Sequence, residues 1–145
     1  WLDIYRQLVD DHIEVKPGAY QVLACLEKMQ IPRAVATSSS GHKARAILER
    51  VGLWQYIPHL TGGDEVKAGK PAPDVYLDAA EKLGVDAPRC IAFEDSETGI
   101  TAALAAGMRV IQIPDLIEAE RMRAPPAYYQ ASSLLDGAAL LGFYL

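Results

Sequence analysis

The fold is decided by residues 90–113, which read CIAFEDSETGITAALAAGMRVIQI. Residues 90–93 form a short continuous apolar run, which is typical of a strand buried on both faces of a parallel sheet. Residues 96–106 carry apolar side chains at helical spacing, and Gly107 ends this predicted helix. Residues 109–113, which read RVIQI, are predicted to form another strand. A strand, a helix and a strand in this order predict a parallel βαβ unit.

The same alternation occupies the rest of the chain. Apolar spacing and turn residues predict seven further elements: a short helix over 2–13, a helix after Pro17, a strand over 33–37, a helix from Ser40 to the stop at Gly52, a weak strand over 57–61, a helix over 74–83 and a last helix near 132–141. A polar, proline-containing loop precedes the last helix. About four strands joined by crossover helices predict an α/β fold with a Rossmann-like parallel sheet covered by helices on both faces.

The composition limits the classes of protein to which the chain can belong. Its 145 residues, half of them apolar, suffice for one domain with a buried core. The formal net charge of −5 is spread without long runs of one sign, which argues against nucleic acid as a partner. No apolar stretch approaches the roughly 18 residues of a membrane span. Cys25 and Cys90 lie in apolar segments, so we predict buried free thiols and a cytoplasmic location.

Three groups of polar residues follow predicted strands, where open parallel sheets bind their ligands. The hydroxyl cluster Thr37-Ser38-Ser39 leads into a helix N-terminus, which favours phosphate binding. The alternative is that these residues only cap the helix. Lys70 stands between a glycine and a proline, which fixes its backbone and directs its ammonium group to the same edge of the sheet. The alternative is an ordinary solvated lysine.

The third group is the acidic pair Glu94-Asp95, which directly follows the apolar run at 90–93. Two adjacent carboxylates at the end of a buried strand require a cation, and their oxygen atoms suit Mg²⁺. The alternative is that Asp95 or Ser96 caps the next helix. Together, hydroxyl groups, a lysine and two acids at one sheet edge could hold a phosphoryl group.

These residues resemble the motifs of the haloacid dehalogenase superfamily of phosphotransferases, in particular its β-phosphoglucomutase-like branch of phosphatases and mutases. The similarity runs over residues 15–107. The resemblance implies that Thr37 binds phosphate, that Lys70 contacts phosphate and nucleophile, and that Glu94 and Asp95 hold Mg²⁺. We expect the neighbouring Ser38 and Ser39 to bind and orient the phosphate together with Thr37. Thr37 and Lys70 are the implied catalytic residues among them.

The first motif of that family has no counterpart in the chain. It is an Asp-x-Asp at the end of the first strand, whose first aspartate forms an aspartyl-phosphate and whose second is the general acid and base. No Asp-x-Asp occurs in the 145 residues, and Asp10-Asp11 lies in a helical pattern. Because the chain begins with Trp1, we expect the C-terminal part of a longer enzyme. Residues 1–15 would be the last helix of a missing cap, and residues 16–145 a partial haloacid dehalogenase-like core without its first central strand.

The resemblance implies a Mg²⁺-dependent phosphatase or phosphomutase that acts on a small phosphorylated metabolite, with a sugar phosphate as the favoured class. The chain alone is expected to be inactive. The alternative is a non-catalytic phosphate- and magnesium-binding or regulatory domain. A missing central strand would leave buried backbone groups unpaired in its neighbours. We therefore expect a closed gap, self-association or a retained N-terminal fragment.

Overall fold

The computed structural model describes residues 13–114 and 128–143. This part of the chain forms five helices: α1 (Ala19–Lys28), α2 (Gly41–Arg50), α3 (Asp74–Leu83), α4 (Glu97–Ala105) and α5 (Leu134–Leu140). It also forms five strands: β1 (Ala34–Ala36), β2 (His59–Thr61), β3 (Ile91–Glu94), β4 (Arg109–Gln112) and β5 (Tyr128–Gln130). The predicted helix over residues 2–13, and with it the predicted cap remnant, lies almost wholly outside the described residues.

All strand pairs in the described residues are parallel, and they form two sheets. In the first sheet β1 pairs with β2, with Val35 opposite Leu60. In the second, β4 lies between β3 and β5, with Ile111 opposite both Phe93 and Tyr129. The predicted α/β class with parallel strands and crossover helices is therefore confirmed.

Strand β5 was not predicted, because its residues were assigned to a loop. It is three residues long, and two of its three side chains are exposed. A short strand at the edge of a sheet carries no apolar run, so its conformation depends on backbone pairing with β4, which sequence periodicity does not report. The prediction of about four strands is one too few for this part of the chain.

The core lies around α3, α4 and the strands β3 and β4. Val75, Ile100 and Val110 are at most 1% exposed, and Ala36 of β1 packs against the same cluster. Both sheets therefore share one core. Helix α3 packs against β1 and β2, while α4 packs against β3 and β4 and also contacts α3. This packing places α3 beside the carboxyl ends of strands from both sheets.

The two sheets are separated between β1 and β3. Within residues 13–114 and 128–143, β1 pairs only with β2 and β3 only with β4. The Thr37 N–H donates to the Thr61 carbonyl, so the carbonyl of the preceding Ala36 points away from β2. The break falls where the family resemblance places an additional strand.

Some residues predicted to be buried are not. Apolar spacing predicts Met29 and Ile47 on the core-facing sides of the helices after Pro17 and Ser40, yet they are 53% and 39% exposed. Helices α1 and α2 each bury one side chain, Val22 and Ala44, because they cover the margin of the core.

Both cysteines are also less buried than predicted. Cys25 and Cys90 are free thiols, as predicted, but their burial is intermediate. Burial is sufficient to raise the pKa of the Cys90 thiol. No helix in the described part of the chain is long and apolar enough to cross a lipid bilayer.

Substitutions on α4 and α3 will test the position of the core. We expect Ile100→Ala to destabilise the fold by about 2–5 kcal/mol, because the side chain is fully buried and its removal leaves a cavity. Leu77→Ala is the control, since Leu77 is 45% exposed and its loss should cost about 0.5 kcal/mol or less. Urea unfolding followed by circular dichroism measures both. Equal effects would contradict this assignment of the core.

Candidate functional site

Two of the predicted site residues, Lys70 and Glu94, are in direct contact. The Lys70 ammonium group forms an ion pair with the Glu94 carboxylate and also donates to the Ala36 carbonyl at 3.2 Å. The two side chains are only 7% and 8% exposed. Ala36 immediately precedes Thr37, so the end of β1, the loop before α3 and the end of β3 meet at one place. The alternative that Lys70 is an ordinary solvated lysine is therefore wrong.

Both oxygens of the Glu94 carboxylate are hydrogen-bonded. Oε1 accepts from the Lys70 ammonium group and from the Tyr76 hydroxyl, the latter at 2.6 Å. Oε2 accepts from the backbone N–H groups of Asp95 and Ser96 at 3.1 and 3.2 Å, and from the Ser96 hydroxyl at 3.0 Å. A buried charge is tolerated when it is paired and its hydrogen-bonding capacity is satisfied, which is the case here.

The protonation states follow from these contacts. Burial opposes ionisation of Glu94, but the hydrogen bonds from Lys70 and Tyr76 outweigh it and hold the pKa of Glu94 below its usual value. Burial and the neighbouring Glu94 charge both raise the pKa of Tyr76 far above its usual value. At neutral pH Glu94 is therefore a carboxylate and Tyr76 a neutral phenol that donates to it.

The apolar spacing of the helix over 74–83 predicts Tyr76 only as a core residue, so its role in the site was missed. Its ring is 6% exposed and belongs to the core, while the Lys70 nitrogen lies 4.8 Å from the ring centroid. The Lys70 ammonium group also donates to the Tyr76 oxygen at 3.3 Å. The sequence offered one signal for this role. Tyr76 stands among aliphatic core residues of α3, and a buried phenol hydroxyl needs a polar partner.

The hydroxyl loop, residues 37–40, follows β1 directly. The Thr37 hydroxyl oxygen accepts the Ser39 N–H at 3.1 Å, which leaves its own O–H available to donate. Ser38 and Ser39 are exposed, and no described residue bonds their hydroxyl groups. The loop thus presents three hydroxyl donors beside the Lys70 contact with Ala36.

The proposal that the hydroxyl loop only caps α2 is wrong. Ser40 occupies the N-cap position but forms no side-chain cap bond. The Gly41 N–H is bonded instead by the Asp64 carboxylate at 2.8 Å, a contact across 23 residues that sequence reasoning missed. Capping does explain Ser96, whose hydroxyl oxygen accepts the Gly99 N–H at 3.1 Å at the start of α4.

Asp95 differs from Glu94 in being exposed and without a hydrogen-bond partner for its carboxylate in the described residues. It borders an open cavity of about 220 Å³, lined also by Phe93, Glu94 and Leu134. The described residues contain no cluster of three histidine, cysteine or acidic side chains that could enclose a metal. Mg²⁺ commonly takes only one or two carboxylates, together with water and phosphate oxygens, so an open carboxylate at this cavity fits the ion.

Gly99 shows how closely the Glu94 carboxylate is packed. A Cβ atom at residue 99 would overlap the carboxylate of Glu94. Residue 99, in the first turn of α4, therefore has to be glycine for the Glu94 carboxylate to contact Lys70 in this way.

A parallel α/β fold with a lysine, hydroxyl groups and acids at the carboxyl ends of its strands is typical of proteins that bind and transfer phosphoryl groups. The comparison with known families agrees with this class. The family model described as haloacid dehalogenase-like hydrolase matches residues 3–107. The chain belongs to the haloacid dehalogenase-like hydrolases.

Individual relatives confirm the resemblance to the branch of phosphatases and β-phosphoglucomutases. The chain is 32% identical over 136 residues to a phosphorylated carbohydrates phosphatase of Thermotoga maritima, covering 94% of this chain and 56% of the relative. It is 43% identical over 82 residues to the fructose-1-phosphate phosphatase of Escherichia coli strain K12, covering 57% and 44%. A crystal structure of a putative beta-phosphoglucomutase from Thermotoga maritima matches with a TM-score of 0.71 and 29% identity, covering 84% and 55%. The chain spans about half the length of the curated relatives it matches.

The hydrogen bond from Tyr76 to Glu94 predicts a pH-dependent stability difference. We expect Tyr76→Phe to lower the free energy of unfolding at pH 7 by about 1–3 kcal/mol, because a bond to a charged acceptor is lost. The folded-state pKa of Glu94 lies below its usual value of 4.5, so its contribution is complete above that pH and is lost as the pH falls through the folded-state pKa. The cost of the substitution should therefore shrink in acid.

Tyr20→Phe is the matched control for this experiment. The Tyr20 hydroxyl donates to a backbone carbonyl, that of Val51, at 2.6 Å, and this acceptor does not titrate. Its loss should cost about 1 kcal/mol or less at every pH. Urea unfolding between pH 7 and pH 3.5 measures both variants, and parallel pH profiles would contradict the role assigned to Tyr76.

Proposed function

We propose that the protein is a Mg²⁺-dependent phosphatase or phosphomutase whose substrate is a small phosphorylated metabolite of the sugar phosphate class. The observation that carries this proposal is the position of the Lys70 ammonium group, which bridges the end of β1 and Glu94 beside the hydroxyl loop. The names of the relatives support the substrate class, since they act on phosphorylated carbohydrates and fructose 1-phosphate.

Each site residue has a chemical role in this proposal. The hydroxyl groups of Thr37, Ser38 and Ser39 donate to phosphate oxygens, and Lys70 offsets the charge of the phosphoryl group. Asp95 offers an open carboxylate to Mg²⁺, and Glu94 contributes negative charge beside it. When bound, the ion neutralises charge on the transferring phosphoryl group.

The nucleophile is proposed to be an aspartate outside these 145 residues, because they contain no Asp-x-Asp. Its carboxylate oxygen would bond to phosphorus as the bond to the leaving oxygen breaks, and water would then hydrolyse the aspartyl-phosphate. Glu94 is unsuited to attack, since both of its oxygens are hydrogen-bonded. On this proposal the chain by itself is inactive.

The second candidate is a domain that binds phosphate and Mg²⁺ without turning over a substrate. The observation that favours it is the buried ion pair between Lys70 and Glu94, in which each charge neutralises the other. The two candidates differ in one readout. A phosphatase releases phosphate from sugar phosphates and a phosphomutase isomerises them, whereas a binding domain leaves them chemically unchanged.

Substitutions in the whole protein will test the site residues. We expect Lys70→Ala and Asp95→Asn each to reduce turnover about 100-fold or more, because Lys70 offsets the charge of the transferring phosphoryl group and Asp95 would hold Mg²⁺. Lys67→Ala is the control, since Lys67 is an exposed lysine of the same loop. The measurements are phosphate release from, and isomerisation of, a panel of sugar phosphates in the presence of Mg²⁺. Near-normal turnover of the Lys70 or Asp95 variant would refute the proposed roles.

We also propose that the space between β1 and β3 takes up a strand, either from a second copy or from a retained N-terminal fragment. The support is the Ala36 carbonyl, which points away from β2 and meets a lysine side chain instead of a strand. The described β1 and β3 do not pair with each other, so the predicted closure of the gap is not seen.

The assembly state of the purified 145-residue chain tests the proposal that an additional strand fills the space between β1 and β3. We expect sedimentation to show concentration-dependent self-association, or intact mass analysis to reveal a co-purified fragment, because unpaired strand edges recruit partners. A soluble monomer of 15.8 kDa that unfolds cooperatively would contradict it.

A further inference from the structure

A second lysine, Lys82 of α3, lies at the centre of a hydrogen-bonded network beside β2. Its ammonium group contacts four acceptors on three segments of the chain. These are the Leu60 carbonyl at 3.0 Å, the Thr61 hydroxyl at 3.1 Å, the Glu65 carboxylate at 2.7 Å and the Asp78 carboxylate at 2.9 Å. Thr61 is fully buried and donates its hydroxyl to Asp78 at 2.7 Å.

Glu65 connects this network to the turn at residues 62–65, which we call the supporting turn. One oxygen of the Glu65 carboxylate pairs with Lys82, and the other accepts the Gly62 N–H at 2.8 Å. The Glu65 N–H in turn donates to the Gly62 carbonyl at 3.1 Å. Hydrogen bonds within the supporting turn therefore close it, and the Lys82 ammonium group connects it to α3.

The supporting turn lies directly against the hydroxyl loop. The Gly63 N–H donates to the Ser39 carbonyl at 2.9 Å, and the Asp64 carboxylate accepts the Gly41 N–H at 2.8 Å. A Cβ atom on Gly63 would lie 2.6 Å from the Ser38 carbonyl oxygen. The two backbones are therefore in contact, and the position of one determines the position of the other.

We propose that Lys82 is a positioning residue for the phosphate site: it fixes the supporting turn and thereby holds the hydroxyl groups of Thr37, Ser38 and Ser39 in place. This inference rests on the proposed function, which assigns those hydroxyl groups to phosphate binding. Lys82 donates to none of the groups that Lys70 contacts, so the two lysines act through separate contacts.

The charges of the network support this role. Hydrogen bonds from Thr61 and Lys82 lower the pKa of Asp78, and the bond from Lys82 lowers the pKa of Glu65. Without the ammonium group, two carboxylates would face each other with no counter-charge, and the Leu60 carbonyl would lose its donor. Repulsion would then separate the supporting turn from α3.

A purely structural role for Lys82 makes a different prediction. The Leu60 carbonyl lies on the edge of β2 away from β1, so Lys82 also covers that edge. The side chains of Lys82, Glu65 and Asp78 are 32%, 40% and 34% exposed, and ion pairs this exposed add little to stability. A positioning role therefore predicts a larger effect on phosphate affinity than on unfolding.

The test compares three variants by titration with inorganic phosphate in the presence of Mg²⁺, using the whole protein. We expect Lys82→Met to weaken phosphate binding about tenfold or more, because the donors are no longer held in place. Lys82→Arg should restore most of the affinity. Lys43→Met removes an exposed lysine from α2, the helix after the hydroxyl loop, and should change the affinity less than about twofold.

Two further measurements separate positioning from folding. Hydrogen exchange of the Gly41 and Gly63 amides should accelerate in Lys82→Met while the amides of α4 remain protected. If Lys82→Met fails to fold, Glu65→Gln offers a milder change that keeps an acceptor for Gly62 and weakens the bond to Lys82; it too should weaken phosphate binding.

The outcomes distinguish this inference from the proposed function. If the wild-type protein binds phosphate and Lys70→Ala does not, but Lys82→Met binds as tightly as wild type, the positioning role is overturned and the phosphate site stands. If the wild-type protein does not bind phosphate at all, the proposed function fails and this inference fails with it.

Discussion

The ion pair between Glu94 and Lys70 is the contact on which the arrangement of the two sheets depends. Glu94 ends β3, while Lys70 lies in the loop before α3 and reaches the last residue of β1. Each side chain is almost fully buried, so neither charge would be tolerated without the other. Since β1 and β3 are not paired in the described structure, this contact and the shared core link the two sheets across the break.

The local sequence after β3 is adapted to this one carboxylate. Ser96 donates its hydroxyl to Glu94 and accepts the Gly99 N–H, so a single side chain both caps α4 and holds the acid. Gly99 leaves the space that the carboxylate occupies. An acid at the end of a buried strand is unfavourable on local grounds alone. Lysine, phenol and amide donors stabilise the Glu94 carboxylate in this position, whereas Asp95 faces solvent.

Features with local causes could be predicted from the sequence. The bounds of α3 match the prediction because its apolar spacing is regular and Gly84 adopts the left-handed conformation that ends it. Lys70, Glu94 and the end of β1 come together because the carboxyl ends of parallel strands lie on one edge of a sheet. Features that depend on contacts between distant residues were missed. Strand β5 forms by pairing with β4, the Tyr76 hydroxyl donates to Glu94, and the Asp64 carboxylate accepts the N–H of Gly41 in α2 across 23 residues.

Lys70, in the loop before α3, and Lys82, in the last turn of α3, explain how the site keeps its shape across the break between the two sheets. Val75 and Ala79 bury the helix against the core, so it is a rigid element between them. Lys70 ties its start to β3 and β1, and Lys82 ties its last turn to β2 and the supporting turn. The separation between the hydroxyl loop and the acidic end of β3 is therefore set by a helix and its two charged contacts. The residues that define the site are thereby positioned from α3 on both sides of the break between the two sheets.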